Sequence, residues 1–238
     1  MAIKNTLLGG TDWVGKEHFK TEDLNDTFNA LTEKIQTLTT FWLNDFLYDV
    51  YDDFESYDVG AFVSNDKWDV STTQEGGSLN CNIQASTIND TGKELYFNTD
   101  TWSGSTTYTN TVTVTSQLIQ PNKHIFLKFA TEVQAYSTTS AATVIGLKIK
   151  FGSQSFLNSF SLGAKDMNKT SKIYNTFFVV ALGNNKYDVY LGSKKVFSDI
   201  EEITPQITLE ISTFNTSATG RRAWAYIDDI YQSKHEVN

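Results

Sequence analysis

Residues 125–136 have the sequence IFLKFATEVQAY, in which every second residue from Ile125 to Ala135 is apolar or small. The residues between them include the polar side chains of Lys128, Glu132 and Gln134. Successive side chains of a β-strand point to opposite faces of its sheet, so the alternation predicts a strand with one buried face. The side chains expected on the buried face are Ile125, Leu127, Phe129, Thr131, Val133 and Ala135.

The same two-residue period recurs through most of the chain after residue 51. It is clearest around residues 112–118, 145–151, 187–191 and 207–211. No helical period separates these segments, which is typical of antiparallel all-β proteins. The fold class is therefore predicted to be mainly β, an antiparallel two-sheet sandwich over residues 51–232, followed by a short tail at residues 233–238.

Short turn sequences divide the predicted strands into hairpins. Gly183-Asn184-Asn185 and Gly192-Ser193 flank the strand-like segment KYDVYL, which indicates two consecutive tight turns. The segment before them, residues 173–182 with the sequence IYNTFFVVAL, is apolar on both faces. We expect it to be a central strand that the opposite sheet covers.

Between residues 21 and 50 the apolar period becomes helical. Thr21 suits an N-cap, and Glu22 and Asp23 suit the first turn of a helix. Six apolar residues follow one another at alternating steps of four and three residues. This spacing is the a/d repeat of a helix whose apolar seam faces a partner helix. The seam residues are Leu24, Phe28, Leu31, Ile35, Leu38 and Trp42. We expect a short coiled coil that makes the chain a homo-oligomer, with a trimer favoured by the bulky aromatics; the alternative is a helix folded back onto its own domain.

Acidic residues are concentrated in the first quarter of the chain. The 238 residues include 19 basic and 28 acidic ones, a net charge of −9, and residues 1–60 hold 12 acidic and 4 basic ones, a balance of −8. The uneven charge implies two regions with different roles, and an acidic chain is unsuited to binding nucleic acid through its phosphates. No apolar run reaches the roughly 18 residues of a spanning helix, so membrane insertion is not expected.

The start of the sequence lacks the apolar stretch of a signal peptide, and the single cysteine, Cys81, cannot form an internal disulfide. Both features favour synthesis in a reducing cytoplasm. Three scattered histidines argue against a zinc site.

Several stretches resemble known families. Residues 11–35, TDWVGKEHFKTEDLNDTFNALTEKI, resemble the N-terminal segment of tailed-phage virion proteins, where a short arm precedes a helix. The strings DDFESYDVG, YDVYLGSKKVFSD and AWAYIDDIYQ resemble the concanavalin A-like and laminin-G-like jelly rolls of lectins, carbohydrate-binding modules and phage fibres. The resemblance implies a jelly-roll sandwich in a virion assembled in the host cytoplasm, with an extended arm at residues 1–20 that docks on other virion proteins.

These jelly rolls often hold a structural Ca²⁺ between their first and last strands. The corresponding carboxylates here are Asp53, Glu55, Asp228 and Asp229, an oxygen-only ligand set that suits a hard cation. The resemblance therefore implies structural calcium as the one cofactor to consider. The alternative is that these carboxylates accept hydrogen bonds from backbone N–H groups and water.

The segment TDTWSGSTTYTN, residues 99–110, is rich in Ser, Thr and Gly and predicts an exposed loop. Trp102 and Tyr108 would offer flat faces to a sugar ring, and Asp100 and Asn110 would bind its hydroxyls. The alternative is that Trp102 folds over the open end of the sandwich and seals the core.

The sequence contains none of the Glu-x-Asp-x-x-Glu strings that catalytic jelly rolls carry on one strand face. The adjacent pairs Glu201-Glu202 and Asp228-Asp229 would point to opposite faces of a strand. We therefore expect a protein without enzymatic activity. Trp68 and Trp224 lie in alternating segments and are expected in the core.

Together these features predict a non-enzymatic phage virion protein of the fibre or receptor-binding type that binds host-surface glycan. One alternative is a capsid or tail decoration or adaptor protein that binds other virion subunits. A second is a glycan-degrading hydrolase, which would need two carboxylates facing one surface.

The heptad repeat predicts that the protein is a homo-oligomer, most simply a trimer of the 26.8 kDa chain. Replacing Leu31 and Ile35 together by Asp should yield monomers, because each seam side chain contributes about 1.5 to 3 kcal/mol of burial. Light scattering measures the mass directly. A wild-type monomer at micromolar concentration would contradict the prediction.

Overall fold

The computed structural model of the protein describes residues 48–88, 91–101, 107–117, 119–137, 142–162, 170–215 and 219–237. The chain divides into two compact units, Met1–Asp49 and Val50–Asn238, and nearly all described residues belong to the second. The predicted arm and the seam from Leu24 to Trp42 lie outside the described residues. None of the described residues forms a helix long and apolar enough to cross a membrane.

The described residues form strands joined by turns and loops, in two antiparallel sheets, so the prediction of a mainly β protein is confirmed. In chain order the strands are β1 (Tyr48–Asp52), β2 (Gly60–Ala61), β3 (Trp68–Gln74), β4 (Ser78–Ala85), β5 (Lys93–Asp100), β6 (Thr109–Ser116), β7 (Ile125–Ser137), β8 (Ala142–Phe151), β9 (Gln154–Leu162), β10 (Ile173–Gly183), β11 (Lys186–Leu191), β12 (Lys194–Glu201), β13 (Ile207–Phe214) and β14 (Thr219–Ser233).

The larger sheet has the strand order β12-β11-β10-β7-β14-β5-β4-β2, with β1 also paired to β14, and the smaller sheet has the order β3-β6-β13-β8-β9. The first and last strands therefore lie side by side, as expected. However, β1 begins at Tyr48, before the boundary expected at residue 51, and it includes only Asp52 of the string DDFES.

The burial of side chains along β7 confirms the strand that the alternation predicted. All six side chains expected on its apolar face are buried, whereas Lys128, Glu132 and Gln134 on the other face are half-buried. The buried face packs with Val112 and Val114 of β6 and with Leu147 of β8 in one apolar core between the two sheets.

A β-bulge in β14 changes which of its side chains face the core. Ile227 lies opposite Phe129 of β7 and Ile230 lies opposite Leu127, so two residues of β14, Asp228 and Asp229, face a single residue of β7. Such a bulge shifts the two-residue period by one position. The core side chains of β14 are therefore odd-numbered up to Ile227, and the next one is Ile230.

The hairpin turns occur where the sequence predicts them. Asn184 and Asn185, between β10 and β11, have φ angles of 52° and 58°, the left-handed conformation that asparagine tolerates. Gly192, before β12, also has a positive φ of 54°. Strand β12 forms one edge of the larger sheet, and its pairing with β11 contains two register shifts.

Strand β10 differs from its prediction on one face. Phe177 and Val179 are buried in the core as expected. Phe178 and Val180 on the opposite face are only half-buried, and Tyr174 keeps 58% of its surface exposed. The expectation of a central strand covered by the opposite sheet is confirmed for the inward face, since β10 lies between β11 and β7. The outward face is also apolar, but it is turned away from the smaller sheet and stays partly exposed.

A buried carboxylate connects the two sheets. Asp52 of β1 accepts a hydrogen bond of 2.7 Å from the Trp68 indole N–H, and Trp68 belongs to β3 of the smaller sheet. The same carboxylate accepts bonds from the Tyr57 hydroxyl at 2.8 Å and the Phe54 N–H at 3.0 Å. Phe54 is fully buried with a φ of 61°, which is unfavourable for a bulky residue. The bonds to Asp52 hold this turn in place.

Asp52→Ala should destabilise the fold by about 3 kcal/mol, because it leaves buried donors without an acceptor. Asp53→Ala is the matched control, since Asp53 accepts an exposed hydrogen bond from the Glu55 N–H, and it should change stability by less than about 0.5 kcal/mol. Urea unfolding measures both. Equal midpoints for the two variants would show that the Asp52 carboxylate does not hold the sheets together.

His124 is a half-buried histidine that the fold keeps neutral. Its Nδ1 accepts a hydrogen bond of 3.0 Å from the Ala181 N–H of β10. Its backbone N–H donates to the Ser233 hydroxyl at 3.0 Å, at the end of β14. Burial lowers the pKa of the imidazole below its usual value of 6.5. A proton on Nδ1 would also break the bond to Ala181.

Stability should therefore fall as the pH drops below about 6.5, because the unfolded chain then binds a proton that folded His124 does not. The loss should grow until the pH passes the lowered pKa. His124→Gln removes this contribution, so the difference in unfolding free energy between wild type and variant should depend on pH between about 7 and 5. A difference constant across that range would contradict the prediction.

Candidate functional site

The structure places two of the predicted sugar-binding residues inside the fold. Tyr108 is 7% exposed and Asn110 is fully buried. The ring of Tyr108 lies so close to Gly76 that an added Cβ there would stand 3.1 Å from it. The Asn110 side chain accepts a bond of 3.1 Å from the Glu75 N–H and donates to the Asp100 carbonyl oxygen at 3.0 Å. Both residues hold the turn between β3 and β4, so the expectation that they are exposed is wrong.

Asp100 lies at the end of β5. Its Oδ2 is 3.0 Å from Nε of Arg222, the residue opposite it on β14. Trp102 lies outside the described residues, so both its role as a sugar platform and the alternative that it seals the core remain predictions.

Two of the four carboxylates expected to bind calcium contact backbone N–H groups. Asp53 accepts a bond of 3.1 Å from the Glu55 N–H, and Glu55 accepts one of 2.6 Å from the Lys93 N–H. These contacts match the alternative in which the carboxylates bind backbone donors.

The other two carboxylates lie at the bulge of β14. Asp228 is 3% exposed, and Asp229 accepts a hydrogen bond from the Tyr231 hydroxyl. Burial, followed by Asp229, raises the pKa of Tyr231, and Asp228 and Asp53 add to the effect. In the described parts of the chain, no three Asp, Glu, His or Cys side chains form a group that could hold a metal ion, and the calcium site stays a prediction.

A cluster of three aromatic side chains lies on the outward face of the larger sheet; we call Tyr96, Trp224 and Tyr226 the aromatic patch. Alternation along β14 produces it, because Ala223 and Ala225 are fully buried and their neighbours face the opposite way. Trp224 is half-buried on this outward face, so the expectation that it belongs to the core is wrong. Trp68 is fully buried, as predicted.

The three rings contact one another across two strands. Tyr226 lies opposite Tyr96 of β5, with ring centres 5.3 Å apart and planes tilted by 44°. The Trp224 side chain forms a hydrogen bond with the Tyr96 hydroxyl. The indole N–H can only donate, so the Tyr96 oxygen accepts this bond.

Polar side chains flank the aromatic patch on both neighbouring strands. Glu132, opposite Trp224 on β7, accepts a short hydrogen bond from the Tyr226 hydroxyl. Asn98, opposite Trp224 on β5, accepts a bond of 3.0 Å from the Asn80 side chain of β4. Trp224 therefore stands between an acid and an amide on neighbouring strands.

A lysine covers part of the aromatic patch. The Lys172 ammonium lies 3.9 Å from the centre of the Tyr226 ring and donates to the Thr87 carbonyl oxygen at 3.3 Å. Thr87 is itself held by Glu94, a fully buried carboxylate that accepts its N–H at 2.9 Å and its hydroxyl at 2.6 Å. Tyr226 is consequently only 6% exposed.

Both tyrosines of the patch stay protonated over the neutral pH range. Burial, followed by the charge of Glu132, raises the pKa of Tyr96 to about 12. The pKa of Tyr226 is raised further, first by burial and then by its hydrogen bond to Glu132. The patch therefore combines apolar ring faces with hydroxyl, amide and carboxylate groups at their edges. Such a surface can bind a ligand that has one apolar face and many hydroxyls.

Sequence reasoning did not find Tyr96, Tyr226 or Glu132 as site residues. The signal was present in the alternation of β14, where small alanines occupy the core positions and large aromatic residues lie between them. A tryptophan between two buried alanines faces away from the core, whatever its own preference for burial.

Neither a protein-family model nor a curated protein matches this chain. Among solved structures, the chain is similar to the enzymatically active domain of bacteriophage CBA120 tailspike protein 4, with 14% identity and a TM-score of 0.32. That match covers 71% of this chain and 19% of the tailspike chain, so this chain spans about a fifth of it.

Two further solved structures are similar. Cellulose induced protein Cip1 shares 12% identity at a TM-score of 0.37, over 79% of this chain and 98% of its own. The binding domain of botulinum neurotoxin DC, solved in complex with SialylT, shares 11% identity at a TM-score of 0.30, over 71% of this chain and 44% of its own. Likenesses at this level assign no function to the chain.

The comparison corrects one expectation from the sequence. The tailspike domain is enzymatically active, so the expectation that the chain is not an enzyme does not stand. The missing Glu-x-Asp-x-x-Glu string excludes only one arrangement of catalytic carboxylates, and other arrangements place their acids on different strands.

Proposed function

We propose that this chain is a glycan-binding jelly roll of a phage virion, of the fibre or receptor-binding type, and that the aromatic patch is its binding site. The observation that carries the proposal is the position of Trp224. Its ring is half-buried on the outward face of the larger sheet, between Glu132 on one neighbouring strand and Asn98 on the other.

Sugar rings suit such a surface. An aromatic face packs against the apolar C–H face of a sugar, and the hydroxyls around the ring edge need polar partners. Glu132 can accept such bonds, and the amides of Asn80 and Asn98 can both donate and accept. Tyr226 is covered by Lys172, so it acts by orienting Glu132, and Trp224 provides the stacking face.

The virion assignment rests on residues 11–35, whose sequence resembles the N-terminal segment of tailed-phage virion proteins. In this proposal the arm at residues 1–20 docks on other virion proteins, and the helix seam joins three chains. One stacked ring with a few hydrogen bonds gives weak binding after the cost of association. Three linked copies would convert weak sites into useful avidity.

Trp224→Ala should reduce glycan binding at least tenfold while lowering the free energy of unfolding by no more than about 1 kcal/mol, because the ring is not part of the core. Trp102→Ala is the comparison variant, and it tests the loop predicted from the sequence as the competing site. Binding is measured on an array of bacterial surface polysaccharides, and stability by urea unfolding.

Unchanged binding by the Trp224 variant would overturn the assignment of the site. If only the Trp102 variant lost binding, the site would be the loop at residues 99–110. Shortening of bound polysaccharide by the wild-type protein would instead identify a hydrolase. Binding to virion proteins without any glycan binding would identify a decoration or adaptor protein.

A further inference from the structure

A second set of aromatic side chains lies on the same outward face of the larger sheet; we call Tyr231, Phe126, Phe178 and Tyr190 the aromatic row. Each member lies directly opposite the next on the neighbouring strand, in the order β14, β7, β10 and β11. All four are half-buried. The ring centre of Phe126 is 6.2 Å from that of Phe178 and 6.2 Å from that of Tyr231. With strands about 4.8 Å apart, the row extends about 14 Å across the sheet.

The bulge in β14 is the reason that the aromatic row and the aromatic patch share one face. Trp224 and Tyr226 occupy even positions and Tyr231 an odd one, so a regular strand would place Tyr231 in the core. The extra residue at Asp228–Asp229 shifts the period, sends Ile230 to the core and turns Tyr231 outwards. Bulges commonly redirect side chains next to functional sites.

The aromatic row and the aromatic patch are separated by a polar strip. Tyr226 and Tyr231 lie opposite Ala130 and Phe126 of β7, which are four residues apart, about 13 Å at the usual rise. On this strip Lys128 of β7 lies opposite Thr176 of β10, on the same face as both aromatic groups. Asp229 bonds the Tyr231 hydroxyl at the edge of the strip. Aromatic, polar and aromatic surfaces therefore follow one another along the sheet.

Cross-strand aromatic pairs can serve only to stabilise a sheet. Two features of the aromatic row indicate a binding role in addition to sheet stabilisation. The rings remain partly exposed in the described structure, and both ends of the row are polar, with Asp229 beside Tyr231 and the Lys195 ammonium 5.5 Å from the Tyr190 ring centre. Lys195 in turn pairs with the Asp188 carboxylate. Ring faces offer stacking surfaces and the fixed polar groups at both ends offer hydrogen-bond partners, which together suit hydroxyl-rich rings.

We propose that the aromatic patch and the aromatic row are two parts of one binding path, and that the ligand is an extended segment of a neutral polysaccharide. This inference rests on the proposed function. The separation of the two aromatic groups exceeds the length of a single sugar unit, so one terminal sugar cannot contact both. The carboxylates Glu132 and Asp229 and the lysines Lys128 and Lys172 lie along this face, so neither sign of charge predominates and a neutral chain suits it.

The test uses the full-length protein and graded neutral oligosaccharides, from disaccharides to octasaccharides, of glucan, mannan and galactan. Wild-type affinity should rise at least tenfold from the shortest to the longest members of the series that binds. Phe178→Thr should remove most of this rise and leave disaccharide affinity unchanged. Trp224→Ala should weaken binding at every length. Phe214→Thr is the matched control, since Phe214 is exposed on the smaller sheet.

Tyr190→Ser, at the far end of the row, gives a second variant in case Phe178→Thr does not fold. Equal wild-type affinity for short and long oligosaccharides would overturn the extended path and leave the proposed glycan site intact. A rise with length that survives both row variants would also overturn it. If the wild type bound none of these oligosaccharides or the array polysaccharides, the proposed function would fail and this inference with it.

Discussion

The long antiparallel pairing of β7 with β14 is the constraint on which the rest of the structure depends. It runs from the pair Ser137 and Thr219 to the pair Ile125 and Gln232, in the middle of the larger sheet. Because side chains alternate along both strands, this pairing decides at once which residues build the core and which face outwards. Glu132 and Trp224 meet on the outward face for the same reason that Val133 and Ala223 are buried on the inward face.

The strands with one apolar and one polar face were predictable from sequence, because alternation is a local property. The six buried positions of β7 and the turn at Asn184 and Asn185 followed directly from it. The outward face was harder to predict, since a large aromatic residue such as Phe178 resembles a core residue in any scale of hydrophobicity. The position of Phe178 depends on the strand register, which determines which side chains the smaller sheet covers.

The candidate site was missed for a related reason. Tyr96, Glu132 and Trp224 come from three segments of the sequence, and only the strand order β5-β14-β7 brings them together. The loop at residues 99–110 was predicted as a site because its composition is unusual. A site on a sheet face is instead distributed among strands of ordinary composition. The bulge at Asp228 and Asp229 adds a further difficulty, because a one-residue shift in period reverses every assignment after it.

The edge strand β12 of the larger sheet has a consequence for how such chains can be assembled. An unpaired strand edge is a template on which another copy can add a strand, and this danger grows when several chains are held close together. Strand β12 carries Lys194, Lys195, Asp199 and Glu201, and two register shifts interrupt its pairing with β11. Charged side chains and an irregular backbone at this edge oppose the addition of a further strand, so chains can be held close together without joining their sheets through β12.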